Sequence, residues 1–290
     1  MNCLEQVITD RYAAYHGDSV EVLKGIPDHS VGYSIFSPPF ASLYTYSNSP
    51  RDMGNVKNDA EFFEHFGYLI AELRRVMMPG RDVSFHCMLM PTSKERDGYI
   101  GLKDFRGDLI RAFQKHGFIF HSEVVIWKDP VTAMQRTKAL GLLHKTVREN
   151  AAMSRQGIPD YLVTMRAPGE SERVRHDPTD YPVDLWQKVA SPIWMDINPS
   201  DTLQYRSARD HDDERHIAPL QLEVIRRGIS LWSNPDDVVL TPFGGIGSEA
   251  YVALELGRRA IAVELKSSYF RQLIGNLAAV TKKNDDLFAS

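Results

Sequence analysis

The sequence has few cysteines, no long hydrophobic run and little excess charge of either sign. Its 290 residues contain two cysteines, Cys3 and Cys87, which is too few for a disulfide framework or a cysteine-based zinc site. No stretch of about 18 apolar residues occurs, so no membrane-spanning helix is predicted. The N-terminus also lacks the basic and apolar regions of a secretory signal. These absences favour a protein of the reducing cytoplasm, and no His, Cys or Asp cluster has the spacing of a metal site.

The composition is that of an ordinary globular protein, with 43% hydrophobic and 25% charged residues. The net charge of −4 argues against a polyanionic partner, but a phosphate-binding face needs only a local basic excess. Residues 128–166 provide such an excess, because their acidic residues are only Asp129, Glu149 and Asp160. The pattern favours either a nucleic-acid contact or a solvated helix face. The basic residues of this stretch are Lys128, Arg136, Lys138, Lys145, Arg148, Arg155 and Arg166.

The order of predicted elements indicates an α/β fold. Strands are predicted at 12–16, 31–36, 83–90 and 118–127, with helices at 59–78 and 102–115 between the later ones. Strands separated by helices pair in parallel, because a crossover is needed to join them. The alternation resumes near the end of the chain, where the predicted helices lie at 218–233, 248–256 and 267–280 and the predicted strands at 238–240 and 260–263.

Two stretches interrupt this alternation. Residues 129–158 are polar, basic and helical in pattern, and a short returning strand is predicted at 161–165. Residues 168–215 are rich in Pro, Asp and Arg with little periodicity, which is typical of a lid or specificity region. The chain therefore divides into residues 1–128, an irregular region at 129–215, and residues 216–290.

A glycine-rich turn joins the predicted strand at 238–240 to the helix that follows it. It reads Thr241-Pro242-Phe243-Gly244-Gly245-Ile246-Gly247-Ser248. Glycines let a ligand approach the backbone, and the first amides of a helix attract negative charge. The next strand ends in Glu264, whose carboxylate can accept both hydroxyls of a ribose. The pattern favours an adenosine-containing cofactor, either a nicotinamide nucleotide or S-adenosylmethionine, over a glycine turn without a ligand.

A second motif, Ser37-Pro38-Pro39-Phe40, follows the predicted strand at 31–36. The two prolines end that strand, because they remove ladder donors and fix the backbone. The Ser37 hydroxyl and the Pro38 carbonyl can accept both N–H groups of an exocyclic amine, which turns the nitrogen lone pair toward a methyl donor. Phe40 offers a flat face for an extruded base. An ordinary strand-ending turn is the alternative interpretation.

Together the motifs resemble those of the β-class DNA amino-methyltransferases, which pair an Asn/Asp/Ser-Pro-Pro-Tyr/Phe loop with a Phe-x-Gly-x-Gly loop. Here the Pro-Pro loop comes first, which is the permuted order of that class. The resemblance covers most of the chain and departs from the family at Thr241, where an acid is usual. Further matching segments are His16-Gly17-Asp18-Ser19, residues 73–80 and residues 216–221.

The resemblance implies a Rossmann-like methyltransferase fold, with a mixed, mostly parallel seven-stranded sheet flanked by helices. Residues 1–128 would be the catalytic half, 129–215 a target-recognition insertion, and 216–290 the cofactor-binding half. The implied cofactor is S-adenosylmethionine, the implied partner is double-stranded DNA, and a homodimer in a bacterial or phage-infected cytoplasm is expected by analogy. The implied catalytic residues are Ser37, Pro38, Pro39 and Phe40, and the cofactor-binding residues are Asp18, Ser37, His216, Pro219, Thr241, Phe243, Gly245, Gly247, Ser248 and Glu264.

The resemblance also leads us to expect DNA contacts from the basic insertion and from the loop after Phe40. We favour N6 of adenine over N4 of cytosine, because family members with a comparable basic insertion more often modify adenine. Ser at position 37 is commoner in N4-cytosine enzymes, so that alternative stays open. The expected DNA-binding residues are Arg51, Lys128, Arg136, Lys138, Lys145, Arg148 and Arg155.

Several other functions compete with this hypothesis. RNA and protein-glutamine amino-methyltransferases use similar Pro-Pro loops but usually place the cofactor motif first. A catalytically silent DNA-binding protein would explain Thr241, and a hydride-transfer enzyme would explain the glycine turn. C5-cytosine methylation needs an activated cysteine, usually after proline, whereas Cys3 follows Asn2 and Cys87 follows His86.

Overall fold

The computed structural model describes residues 2–39, 58–137, 140–179, 181–204 and 219–288. Its strands arise where β-branched and aromatic residues form short buried runs, and its longer helices arise where apolar residues recur at helical spacing. The strands are β1 (Glu5–Ile8), β2 (Tyr12–His16), β3 (Val31–Phe36), β4 (Met77–Met88), β5 (Met90–Pro91), β6 (Leu102–Lys103), β7 (Ile119–Ile126), β8 (Asp160–Arg166), β9 (Ile193–Trp194), β10 (Val238–Thr241) and β11 (Arg259–Glu264).

The described helices alternate with these strands over most of the chain. The long helix after β3 begins at Asp59 and is capped by Asn58, whose side chain accepts a hydrogen bond from the Glu61 amide. The helices are α1 (Ser19–Leu23), α2 (Asp59–Val76), α3 (Lys94–Asp97), α4 (Phe105–Lys115), α5 (Pro130–Thr137), α6 (His144–Asn150), α7 (Val183–Val189), α8 (Leu222–Trp232), α9 (Ser248–Glu255) and α10 (Ser267–Phe288).

The main sheet has nine described strands in the order β1-β2-β11-β10-β3-β4-β8-β7-β9. β2, β11, β10, β3 and β4 are mutually parallel, as their helical connections require. β8 runs antiparallel between β4 and β7, which makes the sheet mixed. This confirms the predicted α/β class and its mostly parallel sheet.

The sheet separates two hydrophobic layers, so the fold has helices on both faces. On one face the aromatic residues of α2 and α4, including Phe62, Phe66 and Phe113, pack on Phe36 and Phe85 of the sheet. On the other face α8, α9 and α10 pack around Tyr33, Ile35 and Leu162. Burial of both sheet faces explains why β3 reads as a continuous apolar run rather than an alternating one.

Two edge strands make the sheet wider than the predicted seven strands. β1 is a short, largely exposed strand paired with β2, and β9 pairs with β7 through only two residues. Neither carries the periodicity that identifies a strand. Trp194 of β9 is buried, so part of the irregular stretch 168–215 contributes to the core. Residues 160–166 of the predicted insertion form β8, which lies inside the sheet between β4 and β7.

Candidate functional site

The carboxyl ends of β3 and β10 form the switch point of the sheet. From β3 the chain crosses through α2 to β4 on one side, and from β10 it crosses through α9 to β11 on the other. Open α/β sheets bind ligands in the crevice at such a point. The Phe36 and Phe243 rings, whose centroids are 5.7 Å apart, join the two loops that leave these strands. The structure thus brings the Pro-Pro motif and the glycine motif to one crevice.

The glycine loop between β10 and α9 has a conformation that requires glycine at two positions. Gly245 has φ 52° and Gly247, which precedes the first turn of α9, has φ 92°. A side chain at Gly247 would place its Cβ 3.1 Å from Leu273. A Cβ at Gly245 would meet no described atom within 4 Å, so the backbone there borders open space. The close approach of a ligand to this backbone stays a prediction, and the open space at Gly245 is compatible with it.

Glu264 lies at the end of β11 and holds the glycine loop in place. Its Oε2 accepts a hydrogen bond from the Gly245 amide at 2.7 Å, and its Oε1 accepts one from the Lys266 amide at 2.7 Å. Each carboxylate oxygen has a second lone pair. The backbone amides of Gly245 and Lys266 therefore orient the carboxylate at the edge of the glycine loop.

Two buried hydroxyls in the crevice have no hydrogen-bond partner among the described residues. They belong to Thr241, at the end of β10, and Ser248, at the start of α9, whose side chains are almost wholly buried. A buried polar atom without a partner is costly, so such atoms usually mark a ligand or a water site. The open backbone at Gly245, the oriented carboxylate of Glu264 and these hydroxyls fit a polar nucleoside-containing cofactor such as S-adenosylmethionine.

The Pro-Pro loop places Ser37 next to a set of polar groups on neighbouring strands. The Ser37 Oγ lies 3.2 Å from the His86 Nδ1, and the His86 Nε2 lies 3.0 Å from the Asp160 Oδ2. The Lys128 Nζ is 2.5 Å from the same Asp160 oxygen. Ser37 is half-buried and Pro38 is buried. Phe40 falls outside the described residues.

The sequence did not single out His86 and Asp160 as functional residues. His86 stands beside Cys87 in a strand interpreted as buried, and Asp160 precedes the short returning strand. Only the positions of these two residues in the sheet could have indicated a role at the site. The carboxyl end of β4 and the amino end of the antiparallel β8 meet at the edge where Ser37 emerges, since Phe36 pairs with Phe85 and His86 with Leu162.

The charges around Asp160 keep its carboxyl ionised. Burial opposes ionisation, but the attraction of His86 and Lys128 outweighs it and holds the Asp160 pKa below its usual value. The ammonium of Lys128, which was predicted to contact DNA, is therefore already paired with a carboxylate. Cys87 is buried, and burial raises the pKa of its thiol well above the usual value, so it is not an activated nucleophile.

The remaining predicted cofactor residues differ in their surroundings. The Asp18 side chain accepts a hydrogen bond from the Glu21 amide at 3.0 Å and so caps α1. It lies in the turn after β2, where the Gly17 amide donates to the Glu264 carbonyl at 3.0 Å. Pro219 is half-buried just before α8. His216 lies outside the described residues.

The predicted DNA-binding residues of the insertion lie mainly on and after α6. Lys145 and Arg148 are exposed, and the Lys145 ammonium is 3.4 Å from Glu149 on the same helix. Arg155 is half-buried against the backbone of Gly141, and burial lowers the pKa of its guanidinium. Arg51, Lys138 and the side chain of Arg136 lie outside the described residues.

The insertion joins the same edge of the sheet as Ser37. It leaves the carboxyl end of β7 and returns at the amino end of β8, and these ends lie beside the carboxyl end of β4. A basic segment at this edge is placed close to a ligand bound in the crevice.

No described helix is long and apolar enough to cross a membrane.

Comparison with known proteins identifies the family. The sequence model of the DNA methylase family, the N6/N4 methyltransferases, matches residues 33–275. Over 88% of this chain, the Type II methyltransferase M.BglII of Bacillus subtilis is 25% identical, and the match spans 66% of that protein. The DNA adenine methyltransferase YhdJ of Escherichia coli K12 is also 25% identical over 88% of this chain, and the match spans 79% of its length.

Solved structures show the same fold. A DNA modification methylase from Thermus thermophilus superposes with a TM-score of 0.68 at 22% identity, covering 93% of this chain and 95% of that one. The cytosine-N4-specific PvuII DNA methyltransferase superposes with a TM-score of 0.68 at 18% identity, covering 97% and 94%. The chain therefore belongs to the DNA methylase family of N6/N4 amino-methyltransferases, whose methyl donor is S-adenosylmethionine.

Proposed function

We propose that this chain transfers a methyl group from S-adenosylmethionine to the exocyclic N6 of adenine in duplex DNA. The observation that carries the proposal is the position of the Ser37-Pro38 acceptors beside the glycine loop at the switch point of the sheet. The two loops are held together by the Phe36–Phe243 contact. Membership of the DNA methylase family supports the substrate class, and the adenine methyltransferase YhdJ supports the choice of base.

The cofactor side of the crevice is built by the ends of β10 and β11. The hydroxyls of Thr241 and Ser248, the backbone at Gly245 and the Glu264 carboxylate are the groups that would hold S-adenosylmethionine. When bound, that cofactor supplies an electrophilic methyl group on a sulfonium centre. Phe243, in the glycine loop, packs on Phe36 of β3 and on Phe66 of α2.

The acceptor side of the crevice orients the target amine. The Ser37 hydroxyl and the Pro38 carbonyl accept its two N–H groups, so that the nitrogen lone pair faces the methyl group in line. These acceptors also strengthen as positive charge develops on the nitrogen during transfer. Ser37 acts as an acceptor and not as a general base, because the pKa of a serine hydroxyl is far too high.

The duplex must release the base before the amine can reach Ser37. We infer that the base is extruded, since amine-modifying enzymes cannot reach their target atom inside the stack. Phe40 is proposed to stack on the extruded base, and the insertion at 129–158 is proposed to hold the flanking phosphates. The homodimer expected by analogy stays a prediction.

Methylation of N4 of cytosine is the second candidate. It is favoured by serine rather than aspartate at position 37, and by the fold likeness to the cytosine-N4-specific PvuII enzyme. Ser37 and Pro38 provide two acceptors that would serve either amine. Methylation-sensitive sequencing of DNA from a host that expresses the chain should reveal N6-methyladenine at a defined site. N4-methylcytosine would support the second candidate, and DNA without either mark would contradict both.

Two of the predicted DNA contacts, Arg148 and Lys128, should respond differently to salt. Arg148 is exposed on α6, so replacing it with Gln should weaken DNA binding and reduce the slope of log K against log salt by about 0.9 for one lost phosphate contact. Lys128→Gln should leave the slope unchanged, because its ammonium is held by Asp160. Fluorescence anisotropy with a labelled duplex at several salt concentrations measures both. If the slopes of Arg148→Gln and the unmodified protein are equal, Arg148 does not contact a phosphate.

A further inference from the structure

A chain of polar contacts leads from Ser37 into the protein. It runs from the Ser37 hydroxyl to His86, then to Asp160 and finally to Lys128, over distances of 3.2, 3.0 and 2.5 Å. Its members come from the ends of four neighbouring strands, β3, β4, β8 and β7. The side chains of His86 and Asp160 are only 13% and 4% exposed, so water competes little for these contacts. The proposed function uses Ser37 but leaves the other three residues without a role.

The carboxylate of Asp160 determines which nitrogen of His86 carries the proton. An ionised carboxylate next to Nε2 favours the proton on that nitrogen, because the N–H dipole then points at the negative charge. The contact is bent and therefore chiefly electrostatic, since Nε2 and Oδ2 do not form a straight hydrogen bond. Nδ1 is then a bare acceptor. The Ser37 hydroxyl must donate to it, because the hydroxyl proton rotates to the available lone pair.

We propose that His86 is a positioning residue that draws the Ser37 hydroxyl proton away from the substrate, so that the oxygen lone pairs face the target amine. Asp160 sets the tautomer of the ring, and Lys128 balances the charge of Asp160. Without an acceptor at this position the Ser37 proton could turn into the crevice, where it would face the N–H groups that Ser37 has to accept. This inference rests on the proposed amino-methyl transfer.

The polar surroundings of the His86 ring come from three neighbouring strands. The described charged groups that face the ring are Asp160 from β8 and Lys128 from the end of β7, and the uncharged Ser37 faces it from the end of β3.

Substitution of His86 by Asn and by Phe separates this role from a structural one. Asn places an amide oxygen near the position of Nδ1, and this oxygen can accept the hydrogen bond from Ser37. We expect His86→Asn to keep kcat within about threefold of the unmodified value. His86→Phe, which has no acceptor, should lower kcat by about tenfold or more with little change in the KM for DNA. His121→Asn is the matched control, because the exposed His121 contacts Ser122 at 3.0 Å, away from the crevice.

A measurement on the free protein tests the geometry without turnover. The ¹⁵N shifts of the His86 ring, assigned by their loss in His86→Asn, should show a protonated Nε2 and a bare Nδ1 at neutral pH. The opposite tautomer, or a kcat of His86→Phe equal to that of the unmodified protein, would overturn the inference. If His86→Phe fails to fold, the inference is tested by the kcat of His86→Asn and by the ¹⁵N shifts of the His86 ring. Absence of methyl transfer by the unmodified protein would instead refute the proposed function. The ¹⁵N shifts of the His86 ring would then still test the contacts from Ser37 to Asp160.

Discussion

Ser37→Ala is expected to lower the kcat of methyl transfer by about 100- to 1000-fold, which is the typical cost of removing one preorganised polar group from a reacting centre. The alanine removes one of two acceptors for the amine and leaves the His86 Nδ1 without its contact to Ser37. The Kd for S-adenosylmethionine should change by less than about twofold, because the groups proposed to hold it lie on β10, α9 and β11. Single-turnover transfer from labelled cofactor, combined with calorimetric titration of cofactor, measures the two effects separately.

Ser122→Ala provides the matched control for this substitution. Ser122 also contacts a histidine, His121, but lies on β7 at the surface, so its loss should leave both constants unchanged. A Ser37→Ala protein with nearly normal kcat would show that the hydroxyl does not orient the amine. An equal loss of cofactor affinity would show that the loop serves the cofactor rather than the base.

Glu264→Gln is expected to raise the Kd for S-adenosylmethionine by about 10- to 100-fold, since hydrogen bonds to a charged group contribute roughly 1.5–3 kcal/mol. The carboxylate accepts from the amides of Gly245 and Lys266, both at 2.7 Å. A carboxamide has one oxygen, so its NH₂ group would face one of these two N–H donors. The glycine loop would lose its anchor at the point where its backbone borders open space.

Calorimetric titration of cofactor into Glu264→Gln checks this expectation, with Glu123→Gln as control. Glu123 pairs with Arg106 at 3.1 Å on the far part of the sheet, so its substitution should leave the Kd unchanged. Unaltered affinity in Glu264→Gln would mean that neither the carboxylate nor its anchoring of the glycine loop contributes to cofactor binding.

The sequence predicted the two loops well because both depend on local signals. Two consecutive prolines end β3 whatever the tertiary structure that follows. Gly245 and Gly247 adopt positive φ angles that other residues avoid. The order of the two motifs predicted the family, and the family and fold are confirmed by the comparisons. The edge strands β1 and β9 escaped prediction because they are short and pair through few residues.

The contacts behind Ser37 could not be read from local patterns. His86 and Asp160 are separated by more than seventy residues and meet only because β8 returns antiparallel beside β4. For the same reason the sequence gives the charge balance of residues 128–166, which includes both Lys128 and Asp160, but does not show that these two residues pair. Pairwise charge placement depends on sheet topology, which periodicity does not specify.

The most direct test of the account is nucleoside mass spectrometry of duplex DNA incubated with the purified chain and methyl-labelled S-adenosylmethionine. The account predicts labelled N6-methyladenine with the unmodified protein and a strongly reduced amount with Ser37→Ala. Label on N4 of cytosine would move the base assignment to the second candidate. A complete lack of labelled nucleoside, although the protein binds both cofactor and DNA, would contradict the proposed methyl transfer.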